Sequence, residues 1–147
     1  MDLKKLVVDV KEAWVEYPGC PGFEVKLNAL SRKELIALRK RCVTTKFDRK
    51  TRQPVEELNE DLFLSEFTKA TVKGWKGFKT KYLETLLLVD VSAMDAEALV
   101  DFSEDNAFTL VSGSADFDSW VNDTIFDVEN FRSGSKGRAV EPDGEVV

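Results

Sequence analysis

Residues Trp14–Leu27 read WVEYPGCPGFEVKL, and the start of the fold depends on how this stretch is built. Phe23–Leu27, FEVKL, alternates apolar and charged residues, the period of a half-buried strand. Before the turn, KEAWVEY is rich in valine and aromatic residues, with Ala13, Val15 and Tyr17 on one side and Trp14 on the other. Between the two runs, PGCPG fixes φ at Pro18 and Pro21 and admits positive φ at Gly19 and Gly22. The spacing predicts a β-hairpin over about residues 6–28. A two-stranded ribbon is marginal by itself in water, so it must pack on something. Its stiff turn and outward Trp14 make it a candidate docking arm.

Outward from the hairpin, LSRKEL is the strongest helix signal. Ser31 stands at the N-cap with Glu34 three residues on, and Leu30 and Leu35 flank them as a hydrophobic staple. The helix runs to about Cys42, with Leu35, Leu38 and Cys42 on one face. TTKFDRKTRQPVEEL follows as a polar, basic connection, compatible with a second hairpin turning at DRKT. Asn59 caps a helix carrying Phe63, Phe67 and Ala70 on one face. VKGWKGF ends that helix at Gly74 and places Trp75 and Phe78 in a short connection, as core plugs at a helix corner. KYLETLLLV predicts a helix with Tyr82, Leu83, Leu86 and Leu87 inward. Ser92 is expected to cap AMDAEALVDF, Ser103 to cap EDNAFTLV as far as Gly113, and Asp116 to cap a last helix. Trp120, Val121, Thr124, Val128 and Phe131 share a face of that helix. From Arg132, RSGSKGRAVEPDGEVV lacks aromatic residues and apolar periodicity. The expected fold is mainly α: an N-terminal hairpin and then a compact bundle of about five or six short helices. Residues 1–131 form one globular domain, with its helical part over 31–131, and 132–147 form a disordered tail.

Composition narrows the function. The chain has no histidine, which removes the commonest general base and metal ligand. DFD at Asp116–Asp118 and SEDN at Ser103–Asn106 carry oxygen ligands, but they sit where helix N-caps are expected and lack EF-hand spacing. No enzyme, cofactor or metal is expected. Cys20 and Cys42 are too few for a disulfide framework and are expected as free thiols. No apolar run has the length of a membrane span, and Asp9 and Lys11 interrupt the start where a signal peptide would need its core.

Charge is segregated along the chain. Residues 32–52 hold nine Lys and Arg against Glu34 and Asp48, whereas residues 82–131 hold 12 Asp and Glu and no Lys or Arg. Nucleic acid is not an expected partner, since the net charge is -6 and no phosphate loop or aromatic platform accompanies the basic run. The asymmetry instead suits a heterologous, head-to-tail contact between copies, which closes into a ring or opens into a spiral.

The ordered pieces together resemble the tail assembly chaperones of long-tailed, siphovirus-type bacteriophages. These pieces are the YPG turn with its GFEV exit, the capped LSRKEL helix, the GWKGF corner, DFSEDNAFTLV, a last helix containing SWV and a Gly/Ser/Lys tail. The likeness covers approximately residues 10–131. It implies a mostly helical, non-catalytic protein of the host bacterial cytoplasm that is not part of the mature virion. The implied partners are the tape measure protein, which it would coat, and the tail tube protein, recruited mainly through a form extended by ribosomal frameshifting. Candidate contacts with partners or other copies are the aromatic residues Trp14, Tyr17, Phe23, Trp75 and Trp120 and the basic Arg39, Lys40 and Arg41. The alternative functions are a structural tail or connector protein and an acidic nucleic-acid mimic.

Overall fold

A computed structural model describes residues 1–6 and 11–132 of the chain. The first strand β1, Glu12–Glu16, pairs antiparallel with β2, Glu24–Asn28. Part of the hairpin expected from about residue 6, and all of the expected tail beyond Arg132, lie outside the described residues.

The mainly α expectation is corrected. Among the described residues five strands in two antiparallel sheets accompany five α-helices, an α+β fold. After the capped helix α1, Arg32–Arg41, the basic connection is a second hairpin: β3, Val43–Asp48, against β4, Gln53–Leu58. Helix α2, Glu60–Thr71, then leads directly into β5, Val72–Lys76. The expected helix-corner connection at VKGWK is therefore a strand, and it completes a three-stranded sheet in the order β1-β2-β5. The remaining helices are α3, Thr80–Leu86, α4, Glu104–Gly113, and α5, Ala115–Ile125.

Strand β5 escaped the sequence pattern because it does not alternate. Val25 pairs with Trp75, Lys26 with Gly74 and Leu27 with Val72, so the register shifts at Lys73. This bulge brings Val72 and Trp75, three residues apart, onto the same inner face. A spacing of three is what a helix face shows, and the local pattern is ambiguous for that reason.

Helix ends follow capping chemistry. The Ser31 hydroxyl accepts from the Glu34 N–H while the Glu34 carboxylate accepts from the Ser31 N–H, a complete capping box. Asn59 and Ser103 accept from the N–H groups of Leu62 and Asn106. Ser114 ends α4 and caps α5 through the Phe117 N–H, so Asp116 lies inside the first turn and is not the cap. The helix expected after Ser92 does not form. Asp90 and Asp95 take the N–H groups of Ser92 and Glu97 into local turns. The carbonyls of Ala96 and Ala98 accept from Lys81 and Thr80, the first N–H groups of α3, whose own N-cap residue Lys79 gives no side-chain cap.

The core lies between the inner face of the three-stranded sheet and the helices. Ala13, Tyr17, Phe23, Val25, Leu27, Val72 and Trp75 are buried there against Leu38, Phe67, Leu110, Phe117, Val121 and Ile125. Helices α2 and α5 touch β2, and α4 packs on both of them. Thr68 and Thr71, buried in this layer, donate to the Leu64 and Phe67 carbonyls within their own helix, so their hydroxyls are not orphaned.

Candidate protein-binding surfaces

The PGCPG turn is fastened to the body. Gly19 and Gly22 take φ of 87° and 85°, the left-handed values that only glycine adopts freely. Cys20 is buried beneath the turn, and the Tyr82 hydroxyl donates to the Pro21 carbonyl at 2.6 Å. The N-terminal hairpin is thus two strands of the central sheet and not a free arm.

Its aromatic residues divide accordingly. Tyr17, Phe23 and Trp75 belong to a buried aromatic cluster with Phe78 and Phe117. The Phe23 and Phe78 rings stack at 4.3 Å between centroids, and Trp75 meets Phe78 edge-on at 5.2 Å. The Trp75 indole N–H donates to the Val100 carbonyl at 2.9 Å. Trp120 is half-buried at the edge of the cluster, 4.9 Å from the Tyr17 ring. Burial first, and then the Asp116 and Cys20 charges, push the Tyr17 hydroxyl above its ordinary pKa. Burial also pushes the Cys20 thiol up. Cys20 and Cys42 are both free.

Trp14 alone of the hairpin aromatics points away from the core and is 39% exposed. It pairs with Lys26, whose other neighbour is Gly74. A Cβ at Gly74 would stand 3.9 Å from the far edge of the indole, so the ring lies across the sheet where no side chain lifts it. The Lys76 ammonium sits 4.6 Å from its centroid, and ion pairs Glu12–Lys26 and Glu24–Lys76 frame it.

Arg39, Lys40 and Arg41 occupy the last turn of α1, where cations complement the helix dipole, and all three are exposed. The Arg39 guanidinium lies 5.3 Å over the Phe63 ring. It lines a cleft of about 290 Å³ with Leu35, Phe67, Asp118 and Asn122. Desolvation pushes the Asp118 carboxyl above the usual range, partly offset by the Asn122 amide that donates to it.

Two further surfaces carry exposed apolar residues; of these the sequence singled out only Val128, expected on the face of the last helix, which ends before it at Ile125. On the β3–β4 ribbon, Phe47 is 66% exposed opposite Pro54, and Val55 lies opposite Lys46. The signal was there: Phe47 is the one aromatic residue of the polar, basic segment Thr44–Leu58. On the acid-only half, Leu88, Met94, Leu99, Phe126 and Val128 are exposed. Phe126 and Val128 border an apolar groove of about 340 Å³ with Leu30, Ile125 and Phe131. The rim cations of that groove are paired, Lys11 with Glu34 and Arg132 with Glu129.

Among the described residues, no group of three or more His, Cys, Asp or Glu side chains is placed to hold a metal ion, and no helix is long and apolar enough to cross a membrane. Comparison with protein-family models, with curated proteins and with solved structures gives no match.

Proposed function

We propose that this chain is a non-catalytic assembly chaperone that holds a long, aggregation-prone helical protein in solution. Following the sequence resemblance, that client is the tape measure protein of a long-tailed bacteriophage. A frameshift-extended form would recruit tail tube subunits, and the chain would act in the host cytoplasm and stay out of the finished virion.

The observation that carries this reading is the segment after α3. Leu88 is fully exposed, Met94 and Leu99 are more than half exposed, and every charged residue from Glu84 to Glu104 is acidic. Lys79 and Lys81 take up Glu97, and Glu84, Asp90, Asp95, Asp101 and Glu104 have no ion-pair partner among the described residues; exposed apolar side chains edged by such charges mark an interaction surface. The apolar groups bury the apolar stripe of a client helix, and the acids favour its basic flanks and keep the complex in solution.

The β3–β4 ribbon favours a second reading. An extension that, among the described residues, packs little on the other elements also suits a subunit of a tail or connector lattice. Mass spectrometry separates the two. A chaperone is found in complexes with the tape measure protein from lysed infected cells and is lacking from purified particles. A structural subunit is found in the particles at fixed stoichiometry.

A further inference from the structure

Among the described residues, the β3–β4 ribbon makes its contacts almost wholly with itself. Between Val43 and Leu58, every side chain is exposed except those at the base and Asp48 at the turn. Its base is closed by the Asn59 N–H donating to the Cys42 carbonyl at 2.8 Å. The tip is held by Asp48, whose carbonyl accepts from the Arg52 N–H at 2.7 Å and whose carboxylate accepts from the Lys50 N–H. Arg52 takes a φ of 56°, a left-handed turn conformation at the tip. A two-stranded ribbon of this kind is marginal in water without a surface to cover one face. Six residues per strand reach roughly 20 Å, beyond the screening length of about 8 Å at physiological salt. The tip is therefore electrostatically remote from the body of its own chain.

The tip has a definite chemistry. Phe47 and Pro54 form an exposed cross-strand pair, and Arg49, Lys50 and Arg52 follow in the loop. Among the described residues none of these three cations lies within ion-pair distance of a carboxylate. At the end of α5 the same chain carries the opposite arrangement. Phe126 and Val128 are exposed, and Asp123 and Asp127 beside them have no ion-pair partner among the described residues. Each surface has an apolar centre, and the charges left unpaired beside it differ in sign: the loop cations at the ribbon tip, and Asp123 and Asp127 near Phe126 and Val128, where Lys11 and Arg132 are already taken up by Glu34 and Glu129.

We propose that the β3–β4 ribbon is a docking arm for a second copy of this chain and that the surface around Phe126, Val128, Asp123 and Asp127 receives it. The arm and its receiving surface are different patches, so the contact is heterologous and each copy both gives an arm and receives one. This inference stands independently of the identity of any client.

Sedimentation velocity tests it in two ways. The unmodified chain at high concentration and low salt should reach at least twice the monomer mass and return to monomer near 1 M salt, where the screening length is about 3 Å. Two double variants then separate the surfaces: Phe47→Ser with Arg49→Ser on the arm, and Asp123→Asn with Val128→Ser on the receiving side. All four positions are exposed, and unchanged melting temperatures verify the fold. Each variant alone should be monomeric. Mixed in equal amounts they should form a dimer and nothing larger, because one intact arm meets one intact receiving surface. A monomeric parent at low salt, variants that associate like the parent, or a mixture that stays monomeric would each overturn the assignment. So would an arm variant that self-associates normally but loses binding of the parent to a short DNA duplex, since the ribbon would then serve a polyanion.

Discussion

The backbones of Gly22 and Gly77 are in contact: a Cβ placed on Gly77 would stand 2.0 Å from the Gly22 carbonyl oxygen. This explains the glycines of the PGCPG turn more fully than conformational freedom does. Gly22 must adopt φ of 85° and Gly77 φ of 70°, and the two turns that contain them must also nest. Phe23 follows Gly22 and Phe78 follows Gly77, so the nesting sets the two rings that stack at the centre of the core.

Gly77→Ala should therefore be severely destabilising. Left-handed backbone costs alanine about 1–2 kcal/mol, and displacing a backbone carbonyl raises the total to about 3 kcal/mol or more. Gly19→Ala is the control, because its φ is also positive but nothing lies within 4 Å of the added Cβ. It should lose only about 1–2 kcal/mol. Urea denaturation of both variants measures the difference, and equal losses would show that the nested turns carry no weight.

Trp14 and Phe23 lie on opposite faces of one hairpin and should respond oppositely to truncation. Phe23 is fully buried, and Phe23→Ala should cost about 3–5 kcal/mol. Trp14→Ala removes a partly exposed ring and a cation–π contact worth about 0.5–1 kcal/mol, so its loss should stay below about 2 kcal/mol. A Trp14→Ala protein that unfolds as readily as Phe23→Ala would mean that the outer face of the sheet is covered.

The α1 capping box should show in the pH dependence of stability. The Lys11 ammonium, and after it the Ser31 N–H, hold the Glu34 carboxyl below the ordinary glutamate range. A carboxyl whose pKa is lower in the folded state stabilises the fold in full above the ordinary value of about 4.3 and loses that contribution as pH falls through the folded value. Glu34→Gln should thus melt below the parent at pH 7, with the gap narrowing below about pH 4. Ser31→Ala should cost about 1 kcal/mol, most of it retained at low pH, because the hydroxyl does not titrate in this range. A Glu34→Gln gap that is constant with pH would contradict the charge component.

The parts legible in the sequence were those governed by local rules. The β1–β2 hairpin, the Ser31 capping box, the Asn59 cap and the helix from Ser103 to Gly113 each depend on residues only a few positions apart. What escaped depends on distant partners. Lys73 becomes a bulge only because β2 fixes the register of β5, and without β2 the VKGWK segment has no strand period. AMDAEALVDF has good helix formers, but Thr80 and Lys81 require its carbonyls, and Asp90 and Asp95 bend it into turns. The candidate surface residues divide for the same reason. Aromatic character marks Tyr17, Phe23, Trp75 and Trp14 alike; strand alternation already sets Trp14 opposite Tyr17, but only the pairing of β2 with β5 places Trp75 inward.

The segment after α3 offers a direct functional handle. Leu88 contributes nothing to the core, so Leu88→Ser with Met94→Ser should leave the melting temperature within a few degrees of the parent. The same variant should lose most of its ability to keep a helical client in solution, measured as the fraction of client remaining in the supernatant after centrifugation. Full retention of that ability would place the client-binding surface elsewhere.

The central claim, that the chain is a chaperone for a tape measure protein, is tested most directly by co-expression with the tape measure protein of the same phage. The soluble fraction of that protein is measured with and without this chain. The account predicts that the tape measure protein is recovered in the supernatant, in complex with this chain, only when the two are made together. A tape measure protein that aggregates equally in both cases, or that is soluble without this chain, would contradict it.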